Sequence, residues 1–235
     1  MSVGCAPSPN TDGYVHPDEQ RLAAFNRVYE NCLVVEDIYP DLARRFLTED
    51  TSRFAEVGGG RGPIGELLAS QGVATCVVDL DEQMLADAHR PAVRGDLRAL
   101  PLPSGALDGV AAVNCLYFLD EPLVAIREAW RVLRPGGLFV ASSPSRWNDP
   151  ELNGIDPNWG APSSFDSEDG PGLVAQVFDS VEVEPWSVVA YELPDQSAIA
   201  DYLHAFNIED WRRKARTLRP PLTITKIGAE IWARK

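Results

Sequence analysis

Read along the chain, apolar and polar positions change period several times, and each change marks an element. Phe54 to Val57 is a short apolar run that passes through closely spaced glycines, Gly58, Gly60 and Gly62, into an amphipathic stretch opened by Pro63. That order predicts a strand, a tight glycine turn and a helix. The β-branched run Ala74 to Val78 predicts a second strand ending in Asp79, Ala92 to Asp96 a short third, and Ala106 to Cys115 a fourth. Helical spacing follows from about Pro122 to Leu133. The breaker Leu133-Arg134-Pro135-Gly136-Gly137 then leads into a fifth strand over 138–143. Upstream, Pro17 to Leu47 repeats at helical spacing with an interruption at Pro40, so two helices are expected, near 18–36 and 40–48. Downstream, a helix is expected near 167–178, and 181–191 and 221–235 read as paired strands separated by a helix pair in 194–221. Strands alternating with helical crossovers predict a doubly wound α/β sheet, whose ligands lie beyond the carboxyl ends of its strands.

Glycines at that first turn let main-chain N–H groups approach a ligand at a helix N-terminus. Asp79 stands where a carboxylate accepts hydrogen bonds from ribose hydroxyls, and Gly95-Asp96 puts a second carboxylate at the same sheet edge. These features, in this order, resemble the class I S-adenosylmethionine-dependent methyltransferases over roughly residues 50–145. Glu56-Val57-Gly58-Gly59-Gly60-Arg61-Gly62 is similar to the family's first motif and Val78 to Leu85 to its second. Leu133 to Gly137 is similar to the turn before its fifth strand. The resemblance implies a Rossmann-like, seven-stranded, mostly parallel sheet ending in an antiparallel hairpin, with helices on both faces. It implies S-adenosylmethionine as cofactor, S-adenosylhomocysteine as product, and methyl transfer by in-line displacement.

For the site, the resemblance implies that Gly58, Gly60 and Gly62 admit the methionine portion and ribose, with Glu56 near the amino group. Asp79 would hold the ribose hydroxyls, Leu80 would lie against an adenine face, and Asp96 and the Leu97 N–H would meet the adenine edge. Asn114 would meet the methionine end, and Cys115 to Tyr117 the reacting methyl. Gly59 departs from the commonest pattern, where a larger residue is frequent. No general base is legible. His16, Tyr117, Asp149 and His204 are the candidates for polar work on an acceptor, with Tyr14 and Tyr29 further polar contacts and His89 expected at the surface. Two other readings stay open. Gly60-Arg61-Gly62-Pro63-Ile64-Gly65 also satisfies GxGxxG, so an NAD(P)-dependent oxidoreductase is an alternative. A non-catalytic S-adenosylmethionine-binding regulatory or scaffold protein is another.

At 235 residues, 45% apolar and 24% charged, the chain suits one domain with a single sizeable core. Within it, residues 1–15 are expected to be flexible, 16–49 to form a helical cover, 50–145 the cofactor-binding core, and 146–166 and 194–221 lids over the acceptor. The first of these lids holds Trp147 and Trp159 in a long polar loop. The net charge of -14 repels phosphate backbones and anionic lipid, so neither nucleic acid nor membrane is an expected partner. The dense basic run from Arg212 to Arg219 reads as a solvated helix face. Cys5, Cys32, Cys76 and Cys115 lack metal-site spacing, so reduced thiols and no metal are expected. Without an export-type start or a bilayer-length apolar run, the expected location is the cytoplasm. A compact chain with an aromatic lid points to a small-molecule acceptor, such as a specialised metabolite or a quinone-like ring; the pattern is silent on oligomeric state.

Overall fold

A computed structural model describes residues 18–36 and 38–235; His16, Tyr14, Cys5 and the segment expected to be flexible lie outside the described residues. The chain orders as α1 (Glu19–Cys32), α2 (Tyr39–Thr48), β1 (Arg53–Val57), α3 (Pro63–Ser70), β2 (Ala74–Asp79), α4 (Glu82–Ala86), β3 (Ala92–Arg94), β4 (Leu107–Val113), α5 (Pro122–Val132), β5 (Leu133–Pro144), α6 (Gly170–Val174), β6 (Ser180–Leu193), α7 (Gln196–Ala205), α8 (Trp211–Ala215) and β7 (Leu222–Arg234). The seven strands form one sheet in the order β3-β2-β1-β4-β5-β7-β6. Five are parallel, and β7 runs antiparallel to both β5 and β6.

Alternation along the central strands divides the core between the two faces of the sheet. Ala55, Val57, Val110, Ala112, Phe139, Ala141, Ile231 and Ala233 meet α5 and the segment from Phe165 to Phe178 on one face. Phe54, Ala111, Val113, Leu138, Val140 and Trp232 meet α2 and α3 on the other. Both faces of these strands are therefore apolar, as a covered parallel sheet requires.

A separate apolar cluster lies where the β6–β7 hairpin outruns β5. The last β5 partner on β7 is Gly228, opposite Pro144, whereas β6 and β7 stay paired as far as Leu193 and Leu222. This overhang, beyond the carboxyl end of β5, carries Ala190, Tyr191, Leu193 and Ile224, covered by α1, α7, α8 and Leu152. The cover expected at 16–49 is thus shared: α1 packs over the overhang with α7, and α2 packs against the sheet beside α3.

Three boundaries differ from the sequence reading. The first helix stops at Cys32 because Leu33 bridges to Tyr191 and the Val34 N–H donates to the Ala190 carbonyl at 2.9 Å, which turns 33–34 into a sheet edge. The helix expected at 167–178 is regular only over Gly170–Val174. Residues 133–137 are extended rather than looped; Leu133 already pairs with Leu107, and a register shift takes up the glycines before Leu138 meets Gly109. Among the described residues, no helix is long and apolar enough to cross a membrane, and no cluster of metal-ligating side chains occurs.

Candidate functional site

The glycine turn leaves β1 at the centre of the carboxyl edge, with Gly58, Gly60 and Gly62 all at positive φ. The three positions differ in what surrounds them. A β-carbon on Gly58 would lie 2.6 Å from Cys115 Cβ, and one on Gly62 would lie 2.3 Å from Val77 Cγ2. One on Gly60 would find nothing nearer than Met84 Sδ at 4.0 Å, so this glycine borders open space. Packing demands glycine at the two ends of the turn, and its open side is the middle.

Asp79, at the end of β2, holds that middle in place. Its Oδ2 accepts the Gly60 N–H at 2.8 Å and its Oδ1 accepts the Asp81 N–H at 2.9 Å. Burial raises its carboxyl above the ordinary carboxylate range against those two bonds. Asp81 caps α4 by accepting from the Gln83 and Met84 N–H groups. Leu80, between the two aspartates, is 48% exposed, an apolar side chain at the rim with a face to spare.

Glu56 is almost wholly buried, and its Oε2 accepts the Gly65 N–H at 2.8 Å. It therefore caps the first turn of α3 from outside the helix. Burial pushes its carboxyl up to about 8, although the N–H groups of Gly65 and Ile64 favour the charged form. Gly59, the departure from the usual motif, has its reason here: a β-carbon on it would lie 2.6 Å from Glu56 Cγ.

On the adenine side of the expected site, the Asp96 carboxylate is held by Arg98, through guanidinium contacts of 2.7–3.1 Å and the Arg98 N–H at 2.8 Å. The Arg98 side chain keeps the Asp96 carboxyl below its ordinary range. Leu97 is buried, with Cδ2 3.4 Å from the β-carbon position of Gly58. Asn114, at the tip of β4, has φ 52° and donates its backbone N–H to the Ser142 carbonyl at 2.9 Å. Cys115 is buried against Val57 and its thiol is raised far above the usual range by that burial. Tyr117 lies in a 3-10 turn, Leu116–Phe118, beside Phe118 at 4.7 Å between ring centroids. Glycines, Asp79, Leu80, Asp96, Leu97 and Asn114 thus come to one edge of the sheet.

Of the candidates for polar work, Tyr117 lies at this edge, whereas Asp149 and His204 are engaged elsewhere. Asp149 is buried in an ion pair with Lys226, at 2.7 Å from Oδ1 and 2.9 Å from Oδ2, and Oδ2 also accepts the Tyr202 hydroxyl at 2.9 Å. His204 stacks on Trp211 at 4.5 Å, between α7 and α8. His89 is half-buried rather than exposed, its Nε2 3.1 Å from Thr75 Oγ1 and its backbone N–H on the Arg61 carbonyl. It ties the glycine turn to β2. Cys32, Cys76 and Cys115 are free thiols.

The long loop after β5 is tethered more firmly than its composition suggests. Where β5 ends, loop groups take over the edge of β7. The Ser145 N–H donates to the Ile227 carbonyl, Asn148 Oδ1 accepts the Ile227 N–H, the Asp149 N–H donates to the Thr225 carbonyl, and Glu151 accepts from the Thr225 N–H and hydroxyl. Lys226, missed in the sequence, had one legible signal. In the alternating strand it shares parity with buried Ile224 and Gly228, an inward position for a charged residue.

Comparison with known proteins agrees with this geometry. The methyltransferase-domain family matches residues 55–141. A Mycolicibacterium smegmatis protein named "probable S-adenosylmethionine-dependent methyltransferase" is 34% identical over 116 residues, covering 47% of this chain and 44% of the relative. The match thus spans less than half of that relative's length. The ubiquinone/menaquinone biosynthesis C-methyltransferase of Rubrivivax gelatinosus is 26% identical over 230 residues, covering 88% of each chain. The structure of an S-adenosylmethionine-dependent methyltransferase from Archaeoglobus fulgidus superposes with a TM-score of 0.54 over 84% of this chain and 94% of that one, at 19% identity, a likeness of fold. The nicotinamide-dinucleotide alternative fails on the sheet: that fold runs 3-2-1-4-5-6, whereas here an antiparallel β7 is wedged between β5 and β6. With its sheet and its motif order in agreement with these matches, residues 55–141 carry a methyltransferase domain of the S-adenosylmethionine-dependent kind, whose cosubstrate is S-adenosylmethionine.

Proposed function

We propose that this chain transfers a methyl group from S-adenosylmethionine to a small-molecule acceptor. The observation that carries the reading is the bond from Gly60 N–H to Asp79 Oδ2, which joins the open middle of the glycine turn to the carboxylate at the end of β2. The space beside Gly60, the rim position of Leu80 and the acceptor capacity of Asp79 suit a nucleoside with an attached amino acid. In this reading Asp79 binds the ribose hydroxyls, Leu80 and Leu97 flank the adenine, and Asp96 meets its amino group while shared with Arg98. Gly58, Gly60 and Gly62 line the path of the methionine portion, Asn114 meets its end, and Glu56 offers a carboxyl oxygen to its amino group from behind the turn. The bound sulfonium supplies an activated methyl group.

The protein's own contribution is to align the acceptor in line with that methyl and to exclude water, which accounts for much of such an acceleration without a strong base. Segments 146–166 and 194–221 are proposed to frame the acceptor. None of Tyr117, Asp149 and His204 is assigned as general base: Asp149 is committed to Lys226 and His204 to Trp211. The name of the Rubrivivax gelatinosus relative, matched along most of its length, supports a small, ring-containing acceptor. Free thiols at Cys32, Cys76 and Cys115 fit the cytoplasm. The test is incubation with methyl-labelled S-adenosylmethionine and a panel of small phenols, quinols and amines beside RNA and protein. Label entering only RNA or protein would contradict the reading.

A further inference from the structure

Trp147 is 46% exposed, yet it is not a slack side chain. Its ring meets that of Trp159 edge-on at 4.9 Å between centroids. The Trp159 indole N–H donates to the Asn148 carbonyl at 2.9 Å, and the Trp147 backbone N–H donates to the Ser145 hydroxyl at 2.9 Å. Against the ring lies Gly160 at φ 83°, where a β-carbon would come 2.4 Å from ring atom Cζ3. Only glycine lets the backbone pack so closely there, and its N–H closes the loop on the Arg146 carbonyl at 2.9 Å. The indole is thus fixed on one side while close to half of it stays uncovered. A ring held this way loses little further freedom when something stacks on it.

Its place in the fold says what that is. Trp147 follows the carboxyl end of β5, as Asn114 follows that of β4, and the two strands are parallel neighbours with Val113 opposite Ser142. The far end of the same loop returns to this edge, where the Ser164 hydroxyl donates to the Tyr117 carbonyl at 3.2 Å. The charge of the loop selects further: from 146 to 169 one basic residue, Arg146, stands against Asp149, Glu151, Asp156, Asp166, Glu168 and Asp169, and the loop stays net acidic even with Lys226 paired to Asp149. An indole face is itself electron-rich and favours flat rings and cations over anions. We propose that Trp147 is the stacking platform for the acceptor, which is a planar aromatic molecule, neutral or cationic. The proposal rests on the methyl-transfer reading and adds to it the chemical class of the acceptor and a residue that selects it.

Calorimetric titration tests it with three flat two-ring probes, 2-naphthol, N-methylquinolinium and naphthalene-2-sulfonate, on protein saturated with S-adenosylhomocysteine. The neutral and cationic probes bind the wild type, and the sulfonate binds more weakly than either. Trp147→Ala weakens them at least about tenfold, the scale of a lost base-on-aromatic stack. Trp147→Leu, which keeps bulk without a ring, does the same, and Trp147→Phe stays within about threefold. Equal binding to wild type and the ring-less variants, tightest binding of the sulfonate, or no binding of any flat probe to the wild type overturns the platform. Thermal stabilisation by S-adenosylhomocysteine is read on every variant. Its absence in the wild type would instead overturn the functional reading beneath.

Discussion

Replacing Lys226 by Met should show what holds the post-β5 loop and the β6–β7 hairpin together. Lys226 is 3% exposed, and its ammonium sits within 3 Å of both Asp149 oxygens and 4.0 Å from the centre of the Phe206 ring. Met fills most of the volume, so the main effect is a buried carboxylate that keeps Tyr202 but loses its cation. Stranding one partner of a buried pair costs about 3–5 kcal/mol. In a chain of this length that is roughly 6–20 °C in unfolding midpoint. The deficit should narrow as pH falls, because protonation neutralises the stranded group. Adding Asp149→Asn removes the charge while leaving an acceptor for the Tyr202 hydroxyl, and Asn tolerates the left-handed φ of 55° found at 149. The double variant should therefore regain at least about 2 kcal/mol over the single one. Urea unfolding followed by tryptophan fluorescence measures all three proteins. A single variant within about 1 kcal/mol of wild type, or a double variant worse than the single, would refute the view that this buried pair stabilises the junction of the post-β5 loop with β7.

Other substitutions separate packing from ligand contact. Gly62→Ala drives a β-carbon into Val77 at positive φ and should cost roughly 2–5 kcal/mol of stability. Gly60→Ala meets open space and should cost only about 1–2 kcal/mol while weakening S-adenosylhomocysteine, so the two denaturation and binding profiles should be reversed in emphasis. Asp79→Ala should reduce cofactor affinity by about 1–3 kcal/mol, read by calorimetry; unchanged affinity would remove it from the ribose site. Glu56, with its folded-state carboxyl raised to about 8, contributes stability that is complete below about pH 4.5 and is lost as pH rises through 8. The slope across that window is up to about 1.4 kcal/mol per pH unit. Glu56→Gln should flatten it, and an equally steep profile in the variant would count against a buried neutral Glu56.

The parallel core was legible because its signals are local. Apolar runs ended by Gly or Asp, and amphipathic stretches opened by Pro63 and Pro122, state an element and its limits without reference to distant residues. Where the structure differs, a distant partner intervenes. Residues 33–34 leave the helix to pair with β6, and the loop after Pro144 takes up bonds from β7. The same holds at the site. Asp79 and the glycines announce themselves by position at strand ends, whereas the commitment of Asp96 to Arg98, of Glu56 to the α3 N-terminus and of Asp149 to Lys226 depends on side-chain direction. The pairing of Asp149 in particular depends on Lys226 facing inward from β7, which only the folded hairpin brings about.

Thermal unfolding with S-adenosylmethionine, S-adenosylhomocysteine, NAD and NADP, each at saturation, tests the central claim most directly. A ligand at about 100 times its dissociation constant adds roughly 2.7 kcal/mol, several degrees in a domain of this size. Stabilisation by the two adenosyl sulfur compounds and by neither dinucleotide is the predicted result. A shift with the dinucleotides alone would contradict the cofactor assignment and everything built on Asp79 and the glycine turn.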